Sequence, residues 1–174
     1  MGEEIDLQPV SHITTDAIGQ PGKRVFYIQA WQGTRTVTLI VEKIQIQSLA
    51  VGLEQFLAEI QQRYPDLTDA DSSYDELRMH IQPPVDPMFR VGELGLGYDM
   101  DNDLVVLVAR ELVGEEDDAE QSRTVRFWCT RGQIRAMCLW GMEVASRGRP
   151  LCPQCGEPMD PEGHFCPKKN GHKH

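Results

Sequence analysis

The chain has 174 residues, of which 40% are hydrophobic and 25% charged, and its formal net charge is −10. That is enough apolar material for one sizeable core, while no apolar run approaches the roughly 20 residues needed to cross a bilayer. Residues 150–174 balance Lys168, Lys169 and Lys173 against Glu157, Asp160 and Glu162, so the deficit lies in the first 149 residues. A body of that charge repels phosphate backbones, which speaks against nucleic-acid binding by the main domain.

The N-terminal MGEEIDLQPV is acidic and lacks the basic and apolar regions of a signal peptide, so the expected location is the cytoplasm, with no membrane association. Gly2 does not open a myristoylation motif, because Asp6 stands where Ser or Thr is needed. EIDLQPVSHI, from Glu4, reads as a first strand and RVFYIQAW, from Arg24, as a second. After a Gln-Gly-Thr turn, Val37, Leu39 and Val41 alternate as in a half-buried strand. The period then changes: Ile46, Leu49, Ala50, Leu53, Phe56, Leu57 and Ile60 form a stripe at helical spacing. Residues 64–87 contain four prolines and many acidic residues, the composition of a surface connection.

The same order then returns. MFRVGELGLGY and DLVVLVAREL supply two strands, the acidic GEEDDAEQS a loop, and RTVRFWC a strand in which Val125, Phe127 and Cys129 alternate. Thr130 is placed to cap a helix whose stripe is Ile134, Met137, Cys138, Gly141, Val144 and Ala145. The segments from Arg35 and from Arg123 align without gaps at an offset of 88, matching Arg-Thr-Val, Gln45 with Gln133 and Ile46 with Ile134. Such self-similarity decides the fold. The expectation is an internally duplicated α+β domain over residues 1–148, with copies at about 1–63 and 88–148. Each copy is strand-strand-strand-helix, sharing one antiparallel sheet with both helices on one face. Leu139, Trp140 and Met142 fall off the core stripe; the tail or another strand should fold over them, and the alternative is a partner or homodimer surface.

Residues 149–174 form a separate tail. Cys152-Pro-Gln-Cys155-Gly156 has the knuckle of a zinc ribbon, and Cys166 returns a third thiol. Lys169 stands where a ribbon's fourth cysteine would be. His164 is the favoured fourth ligand, ahead of His172, giving a structural Zn²⁺ on Cys152, Cys155, His164 and Cys166. Lys168 and Lys169 offer a weaker RNA-contact reading.

FYIQAWQG, FRVGELGLGYDMDNDLVVL and GRPLCPQCGEPMDPEGHFCPKKNGH resemble the domain of unknown function 3090 family, along the whole chain. The resemblance implies a bacterial, mostly actinobacterial protein, often encoded beside a lipid-kinase-like and a histidine-phosphatase-like protein. It places the tail pattern on Cys152, Cys155, Asp160, His164 and Cys166, and implies no catalytic residues.

Other motifs reduce to ordinary structure. Asp99–Asp103 starts like a calcium loop, but Leu104 and Arg110 occupy the positions of its glycine and closing glutamate, so a hairpin turn is expected. Gly92, Gly95 and Gly97 lack the following Lys-Ser/Thr of a phosphate loop and mark a bulge or close backbone approach. His12 and His80 have no partner visible in sequence, and Cys129 and Cys138 fall on inward stripes. Arg35 and Arg123 are repeat-equivalent candidate anion ligands, with ion pairing as the plainer role. The functional expectation is a non-enzymatic binding or adaptor protein with a protein partner. The alternative is an enzyme acting on a small phosphorylated or cationic substrate in a cleft between the copies.

Overall fold

The computed structural model describes residues 2–20, 22–116 and 119–147. The elements are β1 (Glu4–Leu7), β2 (His12–Ile18), β3 (Val25–Gln32), β4 (Arg35–Val41), α1 (Lys43–Arg63), β5 (Val91–Asp99), β6 (Leu104–Glu111), β7 (Thr124–Cys129) and α2 (Arg131–Ser146). Short 3₁₀ turns lie at Glu76–Arg78 and Ala119–Gln121. The fold is α+β. The expected tail, from residue 149, lies outside the described residues.

The strands form two sheets rather than one shared sheet, in the orders β1-β7-β6-β5 and β2-β3-β4. One pairing is parallel, β1 with β7, and the rest are antiparallel. EIDLQPVSHI, expected as one strand, is two: Pro9 carries no amide hydrogen for a ladder, and the chain passes there from one sheet to the other. Backbone bonds stitch the sheets at two places. Val10 N–H reaches Trp128 O at 2.9 Å and Ser11 N–H reaches Trp31 O at 2.6 Å. Across the molecule, Met88 N–H donates to Thr38 O at 2.8 Å and Ile40 N–H to Phe89 O at 3.0 Å.

Both helix stripes are buried as their spacing predicts. Ile46, Leu49, Ala50, Leu53 and Ile60 of α1 face the core, with Phe56 and Leu57 packed at its margin. All six stripe residues of α2 are buried. Both helices start alike. Thr130 Oγ1 accepts from Gln133 N–H at 3.0 Å, and Gln133 Oε1 accepts from Thr130 N–H at 2.8 Å. At the start of α1, Gln45 Oε1 accepts from Glu42 N–H, also at 2.8 Å. The helices are antiparallel neighbours, since Arg135, early in α2, pairs with Glu54 of α1 at 2.9 Å, whereas Gly141, late in α2, abuts Ile46.

The connection 64–87 is more than a surface link. It runs along α2, where the Asp71 carbonyl lies so close to Gly132 that a Cβ there would sit 2.0 Å from it. Arg135 Nη1 donates to Ser72 Oγ at 3.0 Å, and Tyr74 and His80 set their rings edge-on to Trp140 at 6.0 and 5.3 Å. It then crosses the face of β2-β3-β4 that carries Thr14, Gln29 and Thr38, all buried. Thr14 Oγ1 donates to Met79 O at 2.6 Å, Gln29 exchanges hydrogen bonds with the Gln82 backbone at 2.9 and 3.0 Å, and Asp16 Oδ2 accepts from Ile81 N–H at 2.9 Å. Buried polar groups must be satisfied, and a segment without strand periodicity satisfies these. The same segment covers Trp140, which is 1% exposed, whereas Leu139 and Met142 are each 40% exposed.

Gly141 marks a close approach of side chains within the core. A Cβ there would stand 2.8 Å from both Ile46 Cγ2 and Thr15 Cγ2, where α2 passes α1 and β2. In an exposed helix Gly→Ala stabilises by roughly 1 kcal/mol. Here Gly141→Ala is expected to reverse that sign and cost about 1–3 kcal/mol through overpacking, as measured by urea denaturation.

Candidate ligand-binding groove

Two grooves lie in corresponding places, each between a helix and the first strand of the other meander. The first runs between α2 and β2 and is partly roofed by the connection. It has a volume of ≈ 370 Å³, and His12, Tyr74, Asp75, Arg78, Gly132 and Gln133 are among its lining residues. A shallower extension of ≈ 200 Å³ continues past His12 and Arg78 to Trp31 and Gln82. The second groove, ≈ 360 Å³, lies between α1 and β5 and is more apolar, lined by Gln45, Ser48, Leu49, Gly52 and residues 92–96.

The first groove contains the convergent polar groups. His12 Nε2 lies 2.9 Å from Arg78 O, and its ring stacks on Trp31 with centroids 5.4 Å apart. Burial pushes the His12 pKa below its ordinary value, the carbonyl bond opposes this, and the nearby Arg78 charge adds to the depression. The imidazole is therefore kept neutral beside a fixed cation. None of the ion pairs among the described residues involves Arg78. Asp71 accepts from both the Ser73 hydroxyl and the Ser73 amide, which hold its carboxyl below the usual range, and Asp75 accepts from Leu77 N–H at 3.1 Å. The groove thus presents a guanidinium and two carboxylates, together with Ser73, Tyr74 and Thr130 hydroxyls.

Beside this groove His80 acquires a carboxylate that sequence reading did not find. Its Nδ1 lies 3.2 Å from Asp16 Oδ2, and Asp16 is itself held by the amides of Ala17 and Ile81. The signal in the sequence was weak: Thr14 and Asp16 alternate with Ile13, Thr15 and Ala17, but nothing local says that the polar face would be covered.

Arg123 is engaged by Glu111, with Nε–Oε1 at 3.1 Å and Nη2–Oε2 at 2.9 Å; it also donates to Met88 O and lies over the Phe89 ring. Arg35 is exposed at the β3–β4 turn, opposite Gln32. The acidic 99–103 stretch is the β5–β6 turn. In it Asp103, at φ 51°, accepts two bonds from the largely buried Arg131 and one from Tyr98 OH. The three-glycine strand is bulged between Val91 and Glu93, and a Cβ at Gly92 would meet the Leu112 backbone at 2.9 Å. A Cβ at Gly95 or Gly97 would meet nothing within 4 Å.

Cys129 and Cys138 are buried. Burial, and secondarily the proximity of Cys138, pushes the Cys129 thiol far up; burial and then Glu54 push Cys138 up to about 12. The remaining cysteines and His164 lie outside the described residues, and among the described residues no cluster of His, Cys, Asp and Glu could hold a metal ion. Because the thiolate is the reactive form, Cys129 and Cys138 should resist iodoacetamide in the native protein and react fully in 6 M guanidinium, as read residue by residue in peptide mass maps. Native labelling of either would contradict this.

No helix among the described residues is long and apolar enough to cross a membrane. No curated protein and no solved structure matches the chain. A family model does match, over residues 5–166, a span that takes in both meander-helix units and Cys152, Cys155, His164 and Cys166. The chain belongs to the family "Protein of unknown function (DUF3090)".

Proposed function

We propose that this is a non-enzymatic binding protein that takes a small zwitterionic molecule in the groove between α2 and β2 and carries a structural zinc in its C-terminal segment. Arg78 carries the ligand reading: an arginine free of carboxylate partners among the described residues, beside an imidazole held neutral, in a groove of small-molecule size. An anionic group would sit against Arg78 and a cationic group toward Asp71 and Asp75. Such a mixed site accommodates a zwitterion better than a simple anion, because the body as a whole is acidic.

Phosphoethanolamine, a phosphate and an ammonium on a two-carbon link, is a suitable probe. Binding should change tryptophan fluorescence, since Trp31 stacks on His12 at the groove. Arg78→Ala should weaken binding at least tenfold, roughly 1.4 kcal/mol, without lowering Tm. Equal affinity in the variant would dispose of the reading.

Zinc would be held by the thiolates of Cys152, Cys155 and Cys166 and the imidazole of His164, a donor set suited to a closed tetrahedral site. Thiolate-rich ligation favours a structural over a Lewis-acid role. Elemental analysis of protein purified without chelators should find one zinc per chain and its loss in Cys155→Ser. Metal-free wild-type protein would refute the assignment.

We also infer that the two meander-helix units are copies of one ancestral unit. The support is a set of pairs 88 residues apart. Gln45 and Gln133 each accept from the residue three positions earlier, and each side-chain amide reaches the start of the other unit: Gln45 Nε2 to Val91 O at 3.1 Å, Gln133 Nε2 to Val10 O at 3.4 Å. Ile40 and Trp128, likewise paired, each bond the chain that leads into the other unit's first strand.

The enzyme reading draws on the Asp16–His80 pair, in which a carboxylate orients an imidazole that is half exposed. Release of inorganic phosphate from phosphoethanolamine, abolished by His80→Asn with binding retained, would favour it over the binding reading.

A further inference from the structure

The two corresponding grooves differ in what fills them. Along α2, the segment that follows α1 is seated: Asp71 on Gly132, Ser72 on Arg135, Tyr74 and His80 on Trp140. Along α1, no described segment is seated, and the position corresponding to Trp140 is Gly52. A Cβ at Gly52 would meet nothing within 4 Å, so packing among the described residues does not require glycine there, although glycine inside a helix is unfavourable. Leu94 and Leu96 remain only half buried beside it, and β5 is bonded to β6 along one edge only.

We propose that the C-terminal segment, residues 148–174, lies in the α1–β5 groove as residues 64–87 lie in the α2–β2 groove. The inference rests on the duplication reading above, and two observations specify this occupant. The segment follows α2 as the connection follows α1. And α2 ends where α1 begins, since Gly141 abuts Ile46 and the two helices are antiparallel, so the chain is delivered to the end of the groove lined by Gln45. The sequence suits the task. Leu151, Met159 and Phe165 supply apolar anchors, and its prolines match a segment that, like the connection, packs without joining a sheet.

The test is photo-crosslinking in the full-length protein, with benzoylphenylalanine placed at Ser48 or Glu93, on the two walls of the groove. Val51, 70% exposed on another side of α1, serves as control. Adducts from Ser48 and Glu93 to peptides of residues 148–174 within one chain, at least fivefold above Val51, are expected. Adducts to a second copy, equal yields from Val51, or no adduct to that segment would overturn the proposal. Gly52→Trp, which fills the groove in the manner of Trp140, provides a second readout: it should abolish the Ser48 adduct and speed proteolysis within 148–174. An unchanged adduct would also overturn the proposal. Zinc content of the same samples separates the readings, because adducts in metal-free protein would sink the zinc assignment and leave the docking intact. Adducts absent from zinc-loaded protein would do the reverse.

Discussion

The body depends on satisfying a row of polar side chains that the β2-β3-β4 sheet turns away from the helices. Gln29 and Thr14 are fully buried and Thr38 nearly so. Left without partners, each would cost on the order of 1–3 kcal/mol. The connection between α1 and β5 supplies partners to Thr14 through Met79 O and to Gln29 through the Gln82 backbone, Gln29 in turn donates to Thr38 Oγ1, and Ile81 and His80 hold Asp16 on the same face. Once laid there, it also roofs Trp140 and places Arg78 next to His12, so the candidate groove exists because this segment is fastened.

Electrostatics follow the same logic of local pairing within an acidic whole. Arg126 grips Asp6 and Glu4 across the parallel β1–β7 pair, Arg123 grips Glu111, and Arg131 grips Asp103. In each case the arginine hydrogen bond is the largest influence on the acid and holds Asp6, Glu111 and Asp103 below their ordinary pKa values. Folded values below unfolded ones mean that these pairs contribute stability above the ordinary carboxylate range and lose it as pH falls through the lowered values. They are partly solvated, so each contribution is modest. Arg78, like Arg35, Arg63 and Arg110, is in none of the ion pairs among the described residues, but it is the one of these four that lines the α2–β2 groove, which is why it directs attention to a ligand.

Much of the architecture was legible because it is local. The alternation of Val37, Leu39 and Val41, the stripe from Ile46 to Ile60, and the capping by Thr130 depend on neighbours three or four residues away, and the structure has them as expected. The single shared sheet failed because alternation marks a strand without saying what it pairs with: each meander pairs within itself, and β1, cut off from β2 at Pro9, joins β7 of the other. The packed role of residues 64–87 was hidden for a different reason. Its bonds join residues 53 to 65 positions apart, and a proline-rich acidic composition gives the same signal whether the segment floats or is clamped. Asp16 was missed with it, since a carboxylate on a strand becomes an orienting group only when a distant histidine is laid against it.

The residues at the two helix starts give the contrast between the grooves its meaning. Gln45 and Gln133 clamp the entering chain of the opposite unit in the same way, so the frameworks of the two grooves agree at their beginnings. They diverge one turn or two further along. There α2 presents the bulk of Trp140 to an already seated segment, and α1 presents Gly52 to an open groove. If residues 148–174 dock as proposed, a large indole under a hydroxyl-rich and acidic connection and a bare backbone under a segment bearing Leu, Met and Phe would be complementary ways of filling similar spaces, bulk on the helix in one groove answering bulk on the incoming chain in the other.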